Sequence, residues 1–250
     1  MLQSFLKNNS ALKLFSRNQH ILLAVSGGVD SMVMLDLFMK AKQPISVAHC
    51  NFQLRNAESD GDEDFVTKVC KAYQLPFFNI KFDTKEFSNK SGMSIQQTAR
   101  MLRYEWFEKI RKENGLHLIA TAHHATDNVE TVLQHQIRGC GIEGLKGIIA
   151  KQKLIIRPML FASKKMIEQY AKDHKIDFRN DSSNSSNKYE RNFIRSEILP
   201  SLHNLNPSIE ETFNSNLKHF YEESILVNEL LEKYFKKLVT HSGTESFISI

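Results

Sequence analysis

Apolar and polar positions along the chain alternate between two periods. The N-terminal stretch MLQSFLKNNSALKLF has amphipathic spacing and reads as a short docking helix. Ile21–Val25 is a continuous apolar run, the mark of a buried strand; Ser26-Gly27-Gly28 breaks it, and Met32–Met39 resumes with apolar residues at helical spacing. Downstream the same alternation recurs. Strands are expected at Ile45–His49, Leu75–Phe82, His117–Ala122 and Leu154–Leu160, the last stopped by Pro158. Helices are expected at Val29–Lys40, Asn56–Tyr73, Ser94–Asn114, Asp127–Arg138 and Lys164–His174. Ser94 with Gln97 three residues on is a capping-box signature. A final helical pattern runs over Ile209–Leu238 with Phe213, Leu217, Phe220, Leu226, Leu230, Leu231 and Phe235 as core or interface positions, and Phe247–Ile250 opens as a strand. Strands alternating with helices predict an α/β fold: a doubly wound parallel sheet with helices on both faces, followed by a helical C-terminal segment. Ligands of such sheets sit at the carboxyl ends of the strands, so the segments after Val25, Val47 and Ala122 share one mouth.

The first of these segments carries the sharpest chemistry. A strand, a small-residue turn and a helix aim backbone N–H groups and a positive dipole end at an anion. Asp30 would repel a phosphate there unless a cation lay between them, which points to Mg²⁺ on a nucleotide phosphate. No Walker A pattern occurs. His49, Asn51 and Arg55 are expected in a loop after the second strand. After the fourth strand come His123, His124, Asp127, Glu130 and Thr131; without His-Glu-x-x-His spacing, polarising, proton-handling or Mg²⁺-associated roles are favoured over zinc. Arg100 and Arg103 share a helix face, either solvated or a phosphate clamp. Four glycines in Arg138–Gly147 shape a loop, and Asn180–Asn187 is expected to be mobile. Arg191 and Arg195 follow it on a helix start. The acidic run Glu58–Asp64 suits a helical first turn and needs no function.

Charge sharpens this picture. The chain of 250 residues has a net charge of +5 and a pI near 9.0. Arg138–Arg195 holds 13 Lys/Arg against 6 Asp/Glu, so +7 resides there and the remainder is slightly acidic. That segment permits a polyanionic partner. Cys50, Cys70 and Cys140 form no Cys-x-x-Cys, which argues against a disulfide framework or zinc ribbon. No apolar stretch approaches membrane-spanning length and no signal-peptide core is present, so a cytoplasmic location is expected.

Ser26-Gly-Gly-Val-Asp-Ser31 resembles the PP-loop of ATP pyrophosphatases. Joined in order by HCNFQLR (49–55), ARMLRY (99–104), TAHHATDNVET (121–131), RGCGIEGLKG (138–147), RPML (157–160) and RNFIR (191–195), it resembles the tRNA(Ile)-lysidine synthases over about residues 20–200. Phe52 departs from that pattern, standing where the family has a second histidine. The resemblance implies an adenine nucleotide alpha-hydrolase-like fold, with a PP-loop adenylation domain over 1–200 and a helical linker or start of a C-terminal region over 201–250. It also implies that the chain stops short of the family's C-terminal tRNA-binding domains. The implied reaction uses ATP and Mg²⁺ to adenylate C2 of the wobble cytidine in an isoleucine tRNA with a CAU anticodon. The ε-amine of free L-lysine then displaces AMP.

On that resemblance Ser26, Gly27, Gly28, Val29, Asp30 and Ser31 hold the nucleotide phosphates, with Asp30 on the metal and His49, Asn51 and Arg100 also at the nucleotide. Arg103 and Arg191 or Arg195 offset charge at the α-phosphate. His123, Asp127 and Glu130 orient cytidine and lysine, a carboxylate taking the ammonium proton. A tRNA thiolase of the same superfamily, using Cys50 and Cys140, and a non-catalytic nucleotide- or RNA-binding module are the alternatives. A homodimer through the apolar face of Ile209–Leu238 stays open.

Overall fold

The computed structural model describes residues 1–55, 57–179, 190–242 and 245–248. These fall into two compact units, 1–126 with 149–179, and 127–148 with the described residues from 190 onward. The first unit is built on a six-stranded sheet. Its strands are β1 (Ile21–Ala24), β2 (Ile45–Asn51), β3 (Phe77–Lys81), β4 (Leu118–Ala120), β5 (Lys151–Gln152) and β6 (Ile155–Ile156), in the order β3-β2-β1-β4-β6-β5. All neighbours are parallel except β5 with β6, which pair antiparallel at the edge. The strand expected over Leu154–Leu160 is thus a two-residue strand in a short hairpin, because Arg157 and Pro158 end it.

Period-2 alternation on the central strand divides the core. Ile21, Leu23 and Val25 join one apolar cluster with Val33, Leu37 and Phe38 of α2 (Val29–Lys40). That cluster also takes Phe5 of α1 (Leu2–Leu12) and Ile167 of α8 (Lys164–Asp173). Leu22 turns to the opposite face, against Leu102, Trp106 and Phe107 of α5 (Ile95–Glu113). Each face of the sheet is therefore covered, as the near-continuous apolar strand predicts. Ser94 and Gln97 form the expected capping box on α5. The polar helix α4 (Thr84–Ser91), capped by Asp83, was not expected, since only Thr84 and Ser88 of its residues are buried and it lacks an apolar stripe.

The chain leaves β1 for β2 and β3 on one side, and reaches β4 and β6 on the other. The carboxyl end of β1 is therefore a topological switch point, where open α/β sheets bind ligands.

The second unit contains most of α6 (Ala125–Arg138), which starts two residues earlier than expected, and α7 (Ile142–Leu145). It continues with α9 (Glu190–Phe193), a π-helical turn (Ile194–Ile198), α10 (Leu199–Leu205), α11 (Ile209–Leu238) and a β7–β8 hairpin (Val239–Ser242, Glu245–Ile248). Val129, Ile194 and Leu199 are its buried apolar centre. On α11, Leu217 is buried, whereas Leu226, Leu230, Leu231 and Phe235 are exposed. The Asn180–Asn187 stretch lies outside the described residues. Among the described residues no helix is long and apolar enough to cross a membrane.

Candidate active site

Between β1 and α2 the chain turns through Ser26-Gly27-Gly28. The Ser31 hydroxyl organises this turn: Oγ accepts from the Ser26 and Gly27 N–H groups, both at 3.2 Å, and donates to Gly28 O at 2.9 Å. Gly27 has φ +95°, in the region where a side chain is strained, and a Cβ there would lie 3.4 Å from Val66 Cγ2. Gly28 is the N-cap of α2 without a side-chain cap, so the helix end is open to an outside acceptor.

Asp30, in the first turn of α2, receives Lys164 Nζ at 2.6 Å, with His124 Nε2 at 3.8 Å from the same oxygen. Lys164 was absent from the sequence reading. Its signal was present, since Lys164 and Lys165 occupy the first turn of α8, where the dipole disfavours cations. The Lys164 backbone N–H bonds Thr126 Oγ1 at 3.1 Å, which fixes this lysine's position in the chain. Of the paired histidines, buried His124 is the one beside Asp30, while His123 Nδ1 bonds Thr121 Oγ1 at 2.8 Å.

His49 and Asn51 lie on β2 itself, correcting the expected loop: the strand runs two residues further because α3 (Ala57–Ala72) braces its end. His49 Nδ1 sits 2.9 Å from Val25 O. A carbonyl only accepts, so Nδ1 carries the proton. Burial lowers the His49 pKa, leaving a neutral ring whose buried Nε2 lone pair has no partner among the described residues. The Asn51 amide donates to Asp60 and Glu63, both at 2.9 Å, and its oxygen accepts from Gln53 N. Arg55 pairs with Asp62 at 2.8 Å. The acidic turn of α3 thus does more than suit the dipole; it clamps β2 to the helix.

On α5, the Arg103 guanidinium lies over the Phe52 ring (5.2 Å), and Phe52 stacks on Phe82 (5.8 Å, 20°). At Phe52 this chain offers the guanidinium an aromatic face. Arg100 sits likewise over Tyr104, at 5.0 Å. Neither arginine has a hydrogen bond or ion pair among the described residues. Burial lowers the Arg103 pKa from its ordinary value, yet guanidinium stays charged.

The second unit gathers a set of its own. Asp127 and Glu130 lie one turn apart on α6; Arg191 and Arg195 lie one turn apart on α9 and the π turn. Arg191 donates through Nε to Glu130 at 2.6 Å and through Nη2 to Asp127 at 2.7 Å. Arg195 donates through Nε and Nη2 to Glu130, at 2.6 and 3.1 Å. Glu130 is fully buried (0% exposed), whereas Asp127 is only partly so. The glycine-rich stretch packs tightly beside them. A Cβ on Gly147 would collide with Asn128 Oδ1, the same oxygen that accepts from Ile148 N at 2.6 Å.

Comparison with known proteins places these features. The PP-loop domain family matches residues 2–202. The tRNA(Ile)-lysidine synthase of Bacteroides thetaiotaomicron is 38% identical over 92% of this chain and 54% of its own length. That of Porphyromonas gingivalis is 43% identical over 80% of this chain and 44% of its own. The chain thus spans about half the length of these curated relatives. Among solved structures, the U34-tRNA thiolase NcsA from Methanococcus maripaludis, with its [4Fe-4S] cluster, superposes with a TM-score of 0.71 at 18% identity, covering 88% of this chain and 78% of that one. An NH3-dependent NAD synthetase from Campylobacter jejuni gives 0.51 at 15% identity over 88% and 92%. Both likenesses show the fold. With its Ser26–Ser31 loop at the switch point of a doubly wound sheet and a family match across four-fifths of its length, the chain belongs to the PP-loop family.

Proposed function

We propose that this chain is the adenylating part of a tRNA(Ile)-lysidine synthase, residues 1–200 carrying the chemistry and 201–250 leading toward a C-terminal region. ATP would activate C2 of the wobble cytidine of a CAU-anticodon isoleucine tRNA, and the ε-amine of L-lysine would then displace AMP. The observation that carries this reading is the Ser31-centred loop with Asp30 at its mouth, seen in a chain about 40% identical to such enzymes.

The geometry supports the following roles. The open N-terminus of α2 and the backbone of Ser26–Val29 suit the departing pyrophosphate. Asp30 offers one carboxylate with Lys164 upon it, and among the described residues no group of three His, Cys, Asp or Glu could hold a metal. That donor set fits a Mg²⁺ held mostly by phosphate oxygens, which when bound would neutralise phosphate charge. Arg103, with no carboxylate paired to it among the described residues, suits charge growing at the α-phosphate, and Arg100 lies one turn away. Asp127, more accessible than Glu130, is the carboxylate assigned to take the lysine ammonium proton. Glu130 is saturated by two guanidiniums and holds them in place. His49 supplies a lone pair near the end of β1. An unpaired wobble cytidine costs less to extract than a base held in a duplex.

Incubation with Mg²⁺-ATP, labelled lysine and the CAU tRNA is expected to leave alkali-stable label in the RNA. Pyrophosphate release without label would refute lysine as second substrate.

The thiolase alternative is weakened by cysteine chemistry. Burial pushes the Cys50 thiol up to about 12 and Cys70 to about 11, so neither is a thiolate near neutrality. Cys140 is exposed. Iodoacetamide at pH 7.5 is expected to alkylate Cys140 in the native protein and spare Cys50 and Cys70; rapid modification of Cys50, read by peptide mass, would restore the alternative.

A further inference from the structure

Both backbone groups of Gly27 are engaged. Ser31 holds the N–H from within the loop, and the carbonyl accepts from the Arg179 N–H at 3.0 Å. Arg179 follows α8, and its side chain is anchored on α3, where Nε donates to Asp62 Oδ1 at 2.6 Å. Arg55 holds the other oxygen of that carboxylate, at 2.8 Å. Asp62 also lies against the loop through its backbone, since a Cβ on Gly27 would sit 3.8 Å from Asp62 O. Loop, helix and arginine therefore meet at one place. Inside α3 stands a glycine, Gly61, where alanine would favour the helix more. Its reason is steric: a Cβ on Gly61 would lie 2.9 Å from Arg179 Nη2 and 3.2 Å from its Cζ. The guanidinium occupies the space that this glycine leaves.

A trans peptide sets its C=O and N–H antiparallel, so fixing Gly27 O also fixes Gly28 N–H. That N–H points away from Arg179 and makes a long, 3.4 Å contact with Ser26 Oγ, which a phosphate oxygen can replace. A peptide between two glycines is the freest in the loop to flip, because glycine enters positive φ about as readily as negative. Flipped, it would present a carbonyl oxygen where an anion needs a donor. We propose that Arg179 is a positioning residue of the phosphate loop: docked on Gly61 and Asp62, it latches the Gly27–Gly28 peptide in the orientation that receives phosphate. The proposal deepens the function given above and rests on it for the identity of the anion. Arg179 was not among the residues expected from the sequence to act at the loop, and its role here is new.

Calorimetric binding of Mg²⁺-ATP and of inorganic pyrophosphate, with thermal unfolding alongside, tests the latch in the wild type, Gly61→Ala, Arg179→Ala and the double variant. Arg179→Ala is expected to weaken both ligands about fivefold, the equivalent of one net hydrogen bond. Gly61→Ala displaces the guanidinium while improving the helix, so it is expected to weaken both ligands to the same extent with Tm unchanged or raised. A merely structural role would not lower affinity at undiminished Tm. The double variant should also lose about fivefold rather than about 25-fold, because both substitutions break one contact. Undiminished binding in both single variants, an additive loss in the double variant, or an affinity loss in Gly61→Ala that comes only with a lowered Tm overturns the latch. A wild type that binds neither ligand overturns the nucleotide reading, and the latch with it.

Discussion

Asp30→Ala is expected to lower tRNA-dependent pyrophosphate release by about 10²–10³-fold, the usual cost of removing one preorganised charge from a reacting centre. The fold should survive. Asp30 is about one-third exposed, so its pair with Lys164 is worth about 0–1 kcal/mol, and its favourable place near the α2 dipole contributes about 0.3–1 kcal/mol more. For a chain of this size that sum corresponds to a Tm loss of only a few degrees, about 2–4 °C per kcal/mol. ATP affinity should fall less than the rate, because Lys164, released from Asp30, is left free to face phosphate. Pyrophosphate release at the wild-type rate would remove Asp30 from the chemistry.

Glu130→Ala should have the largest effect on stability, about 3 kcal/mol, read from the urea midpoint at constant m value. Removing one partner of a buried pair strands the other charges, and here one fully buried carboxylate receives three N–H bonds from two arginines. The half-exposed guanidiniums can turn partly to water, which keeps the cost at the lower end of that class. Glu130→Gln keeps the volume and one acceptor and should lose less. A change under about 1 kcal/mol for Glu130→Ala would mean that the arginines are held by something other than this carboxylate.

How much of this was legible beforehand varied with the range of the interaction. The helices Val29–Lys40 and Ile209–Leu238 and the Ser94 cap were readable because their signals are local: spacing, a breaker, a capping pair. The antiparallel β5–β6 edge was not, since a two-residue strand has no period to detect. His49 and Asn51 were assigned to a loop because they are polar; their burial is compensated by Val25, Asp60 and Glu63, partners that only the folded chain brings near. Lys164 lies 134 residues from Asp30, and no sequence rule links them. The residues of the loop, by contrast, were recognisable together because one strand-to-helix turn must carry them all.

Ile194 and Leu199 are five residues apart, yet both join Val129 in one buried apolar cluster. In a regular α-helix they would point about 140° apart. The π-helical turn between them, whose bonds span five residues, brings them to one side while Arg191 and Arg195 keep the spacing that lets both reach Glu130. The chain therefore carries one residue of surplus length at this point. Loss of Ser196 would let the turn relax into ordinary α winding, with Ile194 and Leu199 then four apart and still on one side. The charged fork, which ends at Arg195, and the apolar anchor would both keep their partners, so a one-residue deletion at Ser196 is tolerated where a deletion in a regular helix is not.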